Sequence, residues 1–216
     1  MSIFSFLITF PILIVSVILH EIAHGLAAEK LGDDTARKLG RITLNPIPHI
    51  DPFMTIVLPA LLIISGSPVV LGGAKPVPID AGQFANPRRG MCWVALAGPL
   101  TNILIALLGC VYLYAIRATG LYENSSDVIA SGLVMAGIYM VVMNLVLAVF
   151  NLTPIPPLDG GRILIGLLPL KFARQIARLE PIGIYLVVAL LLFGVIDRVI
   201  NPLLAAVLRN LQWLLT

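Results

Sequence analysis

Apolar residues fall in runs near 20 residues long, separated by short polar connectors. The first run extends from about Ile3 to Ala28 and contains Pro11. A connector of mixed charge, Glu29 to Asp51, leads to a second apolar stretch, Pro52 to Leu71, interrupted by Pro59, Gly66 and Pro68. Residues 72–90 (GGAKPVPIDAGQFANPRRG) are polar and rich in Gly and Pro, with room for short strands. A third run covers Met91 to Ile116 and a fourth, after the polar loop 121–127, covers about Val128 to Asn151. The following LTPIPPLDGG cannot be regular helix, because its prolines remove amide donors and clash with the preceding turn. A basic amphipathic stretch, Pro169 to Glu180, carries Lys171, Arg174 and Arg178. The C-terminal region 182–215 would be ~51 Å long as one helix. That exceeds a hydrocarbon core of ~30 Å, so a break is expected near Asp197-Arg198 or Asn201-Pro202. The pattern predicts an all-α membrane protein, a polytopic bundle of about five to six transmembrane helices, with short strands or re-entrant segments in a connector. One domain, residues 1–216, accounts for the whole chain, with its C-terminal helices in 182–215.

Composition agrees with the pattern. The chain has 216 residues, of which 59% are hydrophobic and only 12% charged, and its mean hydropathy is +1.01. Soluble domains carry about 25% charged residues. The net charge of +3 could suggest nucleic acid, but the basic residues sit in connectors, and neither a glycine-rich phosphate loop nor an aromatic-interleaved basic stripe is present. No nucleic-acid partner is expected; the lipid bilayer is. Connectors 29–51, 72–90 and 162–180 are basic or rich in Lys and Arg, whereas 117–127 has one Arg and two acids. The positive-inside rule puts the first three in the cytoplasm and the fourth outside, with the N-terminus extracytoplasmic. The stretch 52–71 would then begin and end on one side, favouring a re-entrant hairpin over a single crossing with 72–90 dipping back. The N-terminal MSIFSFLITFPILIVSVIL lacks a basic leader and runs directly into HEIAH, so it reads as a retained helix. Cys92 and Cys110 would lie ~27 Å apart on one helix, too far for a disulfide.

The chemistry starts at HEIAH, residues 20–24. Residues four apart share a helix face, so His20 and His24 can present imidazoles to one ion. Glu21, turned ~100° from His20, can reach water beside the metal and act as general base, the arrangement of an H-E-x-x-H zinc site. A bare match arises by chance in about one of several hundred such chains, so placement decides. Three ionisable residues within five positions of a transmembrane run cost several kcal/mol unless they serve a buried ion or water cavity. A catalytic zinc takes three protein ligands. Asp159, in a broken stretch tolerable only where it is buried or lines a cavity, is the best candidate for the third. The alternative is a loop-tip Asp before Gly in an ordinary turn. A transporter would also use broken helices and intramembrane charge, but would show matching broken segments in two halves, and none is visible.

HEIAH in the first run, AGPLTN (97–102) in a middle one and NLTPIPPLDGGRI (151–163) after another resemble the site-2 protease family of intramembrane metalloproteases. The resemblance covers roughly residues 10–165. It implies one zinc per chain held by His20, His24 and Asp159, with Glu21 as catalytic base. It also implies that Asn151 orients substrate or stabilises the oxyanion. Asn102 matches a family asparagine on the neighbouring core helix, with helix packing an equal reading. The implied substrates are transmembrane helices of other membrane proteins, locally unwound and cut near the cytoplasmic side of the cell membrane, in which the protease is multi-pass. LNPIPHIDP (44–52) resembles a subgroup of small prokaryotic members without a peptide-binding domain. His49 there could gate the site, bind the metal, or merely sit at the interface, which is the reading favoured.

Overall fold

The computed structural model describes residues 3–64, 72–120, 128–195 and 197–215. Three long apolar helices form its frame: α1 (Ile3–Lys30), α4 (Pro87–Ala118) and α5 (Val128–Asn151). Two short helices, α2 (Thr35–Lys38) and α3 (Leu58–Ile64), lie between the first two long ones, α3 continuing a π-helical turn at Pro52–Val57. After α5 come α6 (Asp159–Leu167), α7 (Leu170–Ala177), α8 (Glu180–Leu192) and α9 (Asp197–Leu215). α7 and α8 bend by 70° at their junction and together are apolar enough for a fourth span. The protein is therefore an α-helical membrane protein, with three to four spans among the described residues and α3 and α9 as further apolar or amphipathic helices. This is roughly the expected number, and no strand forms among the described residues. The C-terminal break comes just ahead of Asp197, after a left-handed Gly194.

α4 is the centre of the bundle, packing against α1, α5 and α6. Its start is fixed by Asn86, whose side chain accepts the Arg89 amide at 3.1 Å, and by Pro87 in the first turn, a standard helix entry. The polarity is inverted relative to a soluble protein. Phe6, Leu7 and Phe10 of α1 and Leu104, Leu107 and Val111 of α4 face outward, whereas Ser16, Asn102 and Asn144 are buried. Small and polar residues at helix contacts with apolar residues outside are the packing mode of helices in lipid, where burying Leu against Leu gains little over lipid tails. Cys92 and Cys110 are free, as their separation requires.

The connectors are tied together at one end of the bundle by Asp33, which is fully buried. Its carboxylate accepts the Thr35 amide (3.0 Å), the Asp80 amide (2.7 Å) and the Gln83 side-chain amide (3.1 Å). Burial pushes this carboxyl up, but the hydrogen bonds from Thr35 and Asp80 and the charge of Lys38 outweigh it and leave the group below its ordinary value. A depressed folded-state value means the stabilisation is present above the unfolded value, about pH 4, and is lost as pH falls through the folded one. Asp33→Ala is expected to cost about 2–3 kcal/mol at neutral pH, since it strands the Thr35 and Asp80 amides. Thermal unfolding in detergent should show that deficit narrowing only at pH below about 4.

Candidate metal centre

Two stripes of residues at four-residue spacing build the centre. On α1 the stripe is Ser16, His20 and His24; on α4 it is Val94, Gly98 and Asn102. The helices meet antiparallel along them. His24 Nδ1 donates to the Val94 carbonyl at 2.7 Å, and His20 Nδ1 donates to Asn102 Oδ1 at 2.6 Å. Asn102 in turn donates to Asn144 Oδ1 (2.9 Å), and Asn144 donates to Ser16 Oγ and to the Met140 carbonyl, both at 2.9 Å. A carbonyl can only accept, so His24 carries its hydrogen on Nδ1. The asparagine relay orders His20 in the same way. Both Nε2 lone pairs are thereby left facing inward, 3.0 Å apart.

The third component arrives from α6. Asp159 is its first residue, and Gly160 and Gly161 allow the helix start to sit directly on the preceding turn. A Cβ on Gly160 would lie 2.2 Å from the Leu152 carbonyl oxygen, and one on Gly161 would lie 2.2 Å from the Pro156 nitrogen. The LDGG turn is thus a docking device. It brings Asp159 Oδ2 to 3.2 Å from His20 Nε2 and 3.4 Å from His24 Nε2. Asp159 Oδ2 is buried and accepts no hydrogen bond.

With both imidazoles neutral, as metal ligands must be, three acceptor atoms converge, a repulsive arrangement unless a cation lies between. Ligands ~2.0–2.1 Å from a tetrahedral zinc stand ~3.3 Å from one another, and the three observed separations, 3.0, 3.2 and 3.4 Å, are close to that. The donor set of two imidazoles and a carboxylate also suits zinc. The residues fit the metal.

Glu21 sits beside this trio without joining it. One carboxylate oxygen of Glu21 and one ring nitrogen each of His20 and His24 lie within 4.8 Å of one another. Its Oε2 accepts the Val77 amide at 2.8 Å. Asn151, at the end of α5, bonds back to its own helix through the Leu147 carbonyl at 3.0 Å, and no hydrogen bond joins it to the trio. His49 is buried away from the trio's contacts. Its Nε2 donates to the Thr43 carbonyl at 2.9 Å, and its own carbonyl accepts the Lys75 amide at 2.8 Å. It supports the connector.

Sequence reasoning missed Gly98, Asn144, Ser16 and Val77. Ser16 and Asn144 carried a usable signal, being polar residues inside long apolar runs. Gly98 stood within a quoted motif, yet nothing local assigned it a role. A Cβ there would lie 2.5 Å from His20 Cε1 and from His24 Nε2, so the two imidazoles occupy the space over this glycine.

A family model described as Peptidase family M50 matches residues 8–194. YwhC of Bacillus subtilis is 38% identical over 194 residues, covering 90% of this chain and 84% of that protein. Rip2 of Mycolicibacterium smegmatis is 32% identical over 185 residues, covering 86% of this chain and 66% of its own length. The zinc metalloprotease MJ0392 of Methanocaldococcus jannaschii is 28% identical over 192 residues, 88% of this chain but only 43% of that longer protein. No solved structure matches significantly. The family match runs unbroken from α1 to α8 and takes in every side chain of the cluster, so the chain belongs to peptidase family M50, the site-2 protease family, and is a zinc metalloprotease.

Proposed function

We propose that the protein hydrolyses peptide bonds within or near transmembrane helices of other membrane proteins, using one zinc held by His20, His24 and Asp159. The observation that carries the reading is the convergence of three potential ligand atoms, two His Nε2 and Asp159 Oδ2, inside a bundle whose outer surface is apolar. Zinc held there supplies Lewis acidity towards water and towards a peptide carbonyl. Glu21, with one oxygen on the Val77 amide, has the other available to take a proton from water and return it to the leaving amine. Asn151 is assigned to substrate orientation or to the developing oxyanion. Its bond to Leu147 uses one of the two amide hydrogens and leaves the other, with Oδ1, to serve. A helical carbonyl is shielded by its own turn, so the substrate segment must unwind before it can be attacked.

Membrane orientation follows the basic connectors. His24 lies near the C-terminal end of α1, beside connector 29–51, which supports a site close to the cytoplasmic face with the N-terminus outside. The re-entrant reading of 52–71 also gains support, although its tip, 65–71, lies outside the described residues. The Gly73 amide donates to the Met54 carbonyl at 3.1 Å, and Thr55 Oγ1 donates to the Gly73 carbonyl at 2.6 Å. The chain therefore returns at Gly73 to where it entered at Met54 and Thr55. A substrate strand pairing along 72–80 would find few donors there, because Pro76 and Pro78 have no amide hydrogen.

The test joins metal to cleavage. Wild type reconstituted with a panel of single-span membrane proteins should cut at least one of them and hold about one zinc per chain. Asp159→Ala should lose most of that zinc and all cleavage, while His49→Ala keeps the metal. Full zinc occupancy in Asp159→Ala would overturn the ligand assignment. A zinc-loaded wild type that cuts nothing in the panel would count against the substrate class.

A further inference from the structure

The connector segment from Gly73 to Asp80 runs extended beside the HEIAH turn. It is held through its amides and carbonyls. The Gly73 amide bonds to Met54, the Lys75 amide to the His49 carbonyl, the Val77 amide to Glu21 and the Asp80 amide to Asp33. On the carbonyl side, Arg41 Nη2 donates to the Lys75 oxygen at 2.7 Å. Sequence stiffens the middle of this strap. In Lys75-Pro76-Val77-Pro78, both prolines have fixed φ, and each restricts the residue before it to extended backbone. Within 76–78, Val77 alone carries an amide hydrogen, and it is spent on Glu21 Oε2 at 2.8 Å. The Val77 side chain is buried. It packs where a Cβ on Gly25, the residue after His24, would lie 3.3 Å from Val77 Cγ1 and 3.2 Å from Ala36 Cβ. The strap is therefore wedged against α1 one residue past the second histidine, with a single donor aimed at the carboxylate.

We propose that Pro76-Val77-Pro78 is a positioning element for the general base, in which the Val77 amide fixes one oxygen of Glu21 so that the other faces the reacting water. The inference rests on the assignment of Glu21 as base. A carboxylate on a helix surface has several rotamers, and only some of them bring an oxygen towards the space between His20 and His24. One strong amide donor on a proline-stiffened backbone selects among these without contributing a side chain to the site. Val77 is thus a positioning residue, acting through its main chain.

Two measurements test this. The first is hydrogen exchange at the Val77 amide, isolated by a proline on each side. Exchange should accelerate at least about tenfold in Glu21→Ala and stay near the wild-type rate in Glu21→Gln, whose amide oxygen still accepts. Unchanged exchange in Glu21→Ala overturns the proposal. The second replaces the Val77 amide with an ester, by incorporating the matching α-hydroxy acid, and compares it with Val77→Ala, which keeps the donor. The ester should lower kcat about tenfold or more with KM and zinc content unchanged, whereas Val77→Ala should retain most of kcat. An ester variant with wild-type kcat overturns the proposal. So does one that loses zinc together with activity, since the strap would then hold the site together rather than aim the base. Should Glu21→Gln cleave normally, the base assignment fails, while the exchange result still reports whether the contact exists.

Discussion

Glu21→Gln should retain the fold and the full zinc content while cleavage falls about 10²–10⁴-fold, the usual contribution of a positioned general base. The expectation comes from where the carboxylate lies. Glu21 is within reach of both histidine nitrogens but is not one of the three converging atoms, so an isosteric amide leaves the ligand set untouched. Glutamine also keeps an oxygen able to accept the Val77 amide, so the strap stays seated. What is removed is the capacity to take a proton. Zinc analysis with cleavage of one membrane substrate checks both halves of the prediction. Near-normal turnover would mean that a different group accepts the proton. Loss of zinc would mean that Glu21 is a ligand after all.

The long helices were legible because lipid demands long apolar runs. The predicted run Val128 to Asn151 coincides with α5, and the prolines after it end the helix where expected. HEIAH was legible for a similar reason, since ionisable residues in such a run need a purpose. Asp159 was ambiguous from its surroundings, because LDGG serves equally well as a turn. The structure shows that the two glycines serve as contact points for the Leu152–Pro156 backbone, which no local pattern announces. The asparagine relay is a matter of tertiary register. Asn144 reaches Ser16 across 128 residues of sequence, and only the packing of α5 against α1 and α4 brings them together. The strap was read as a polar connector with possible strands. No strand forms there among the described residues, and its target, Glu21, lies 56 residues away.

Gly98→Ala should cost the protein its zinc, although Gly98 offers no ligand atom. The added methyl would lie 2.5 Å from His20 Cε1 and His24 Nε2 and 2.6 Å from His20 Nε2. All three are well inside contact distance, and the rings cannot swing aside freely. Each is held through its Nδ1 by an acceptor on the same helix that carries the methyl, His24 by the Val94 carbonyl and His20 by Asn102. Relief requires either breaking those hydrogen bonds or parting α1 from α4, and both spoil the aim of the Nε2 lone pairs. Disturbing the partners that orient a ligand typically costs 10–100-fold in metal affinity, and displacing two ligands at once should lie at or beyond the upper end. Overpacking alone would also cost about 1–3 kcal/mol of stability, so a matched control is needed. Gly137→Ala on α5 crowds Leu113 at a comparable 2.5 Å, in the core contact between α4 and α5 that lacks the histidines. It should lower the unfolding temperature while its folded fraction keeps both zinc and cleavage. Gly98→Ala should lose zinc even where it remains folded. A Gly98→Ala protein with wild-type zinc content would show that the imidazoles have room that the α1–α4 contact does not offer.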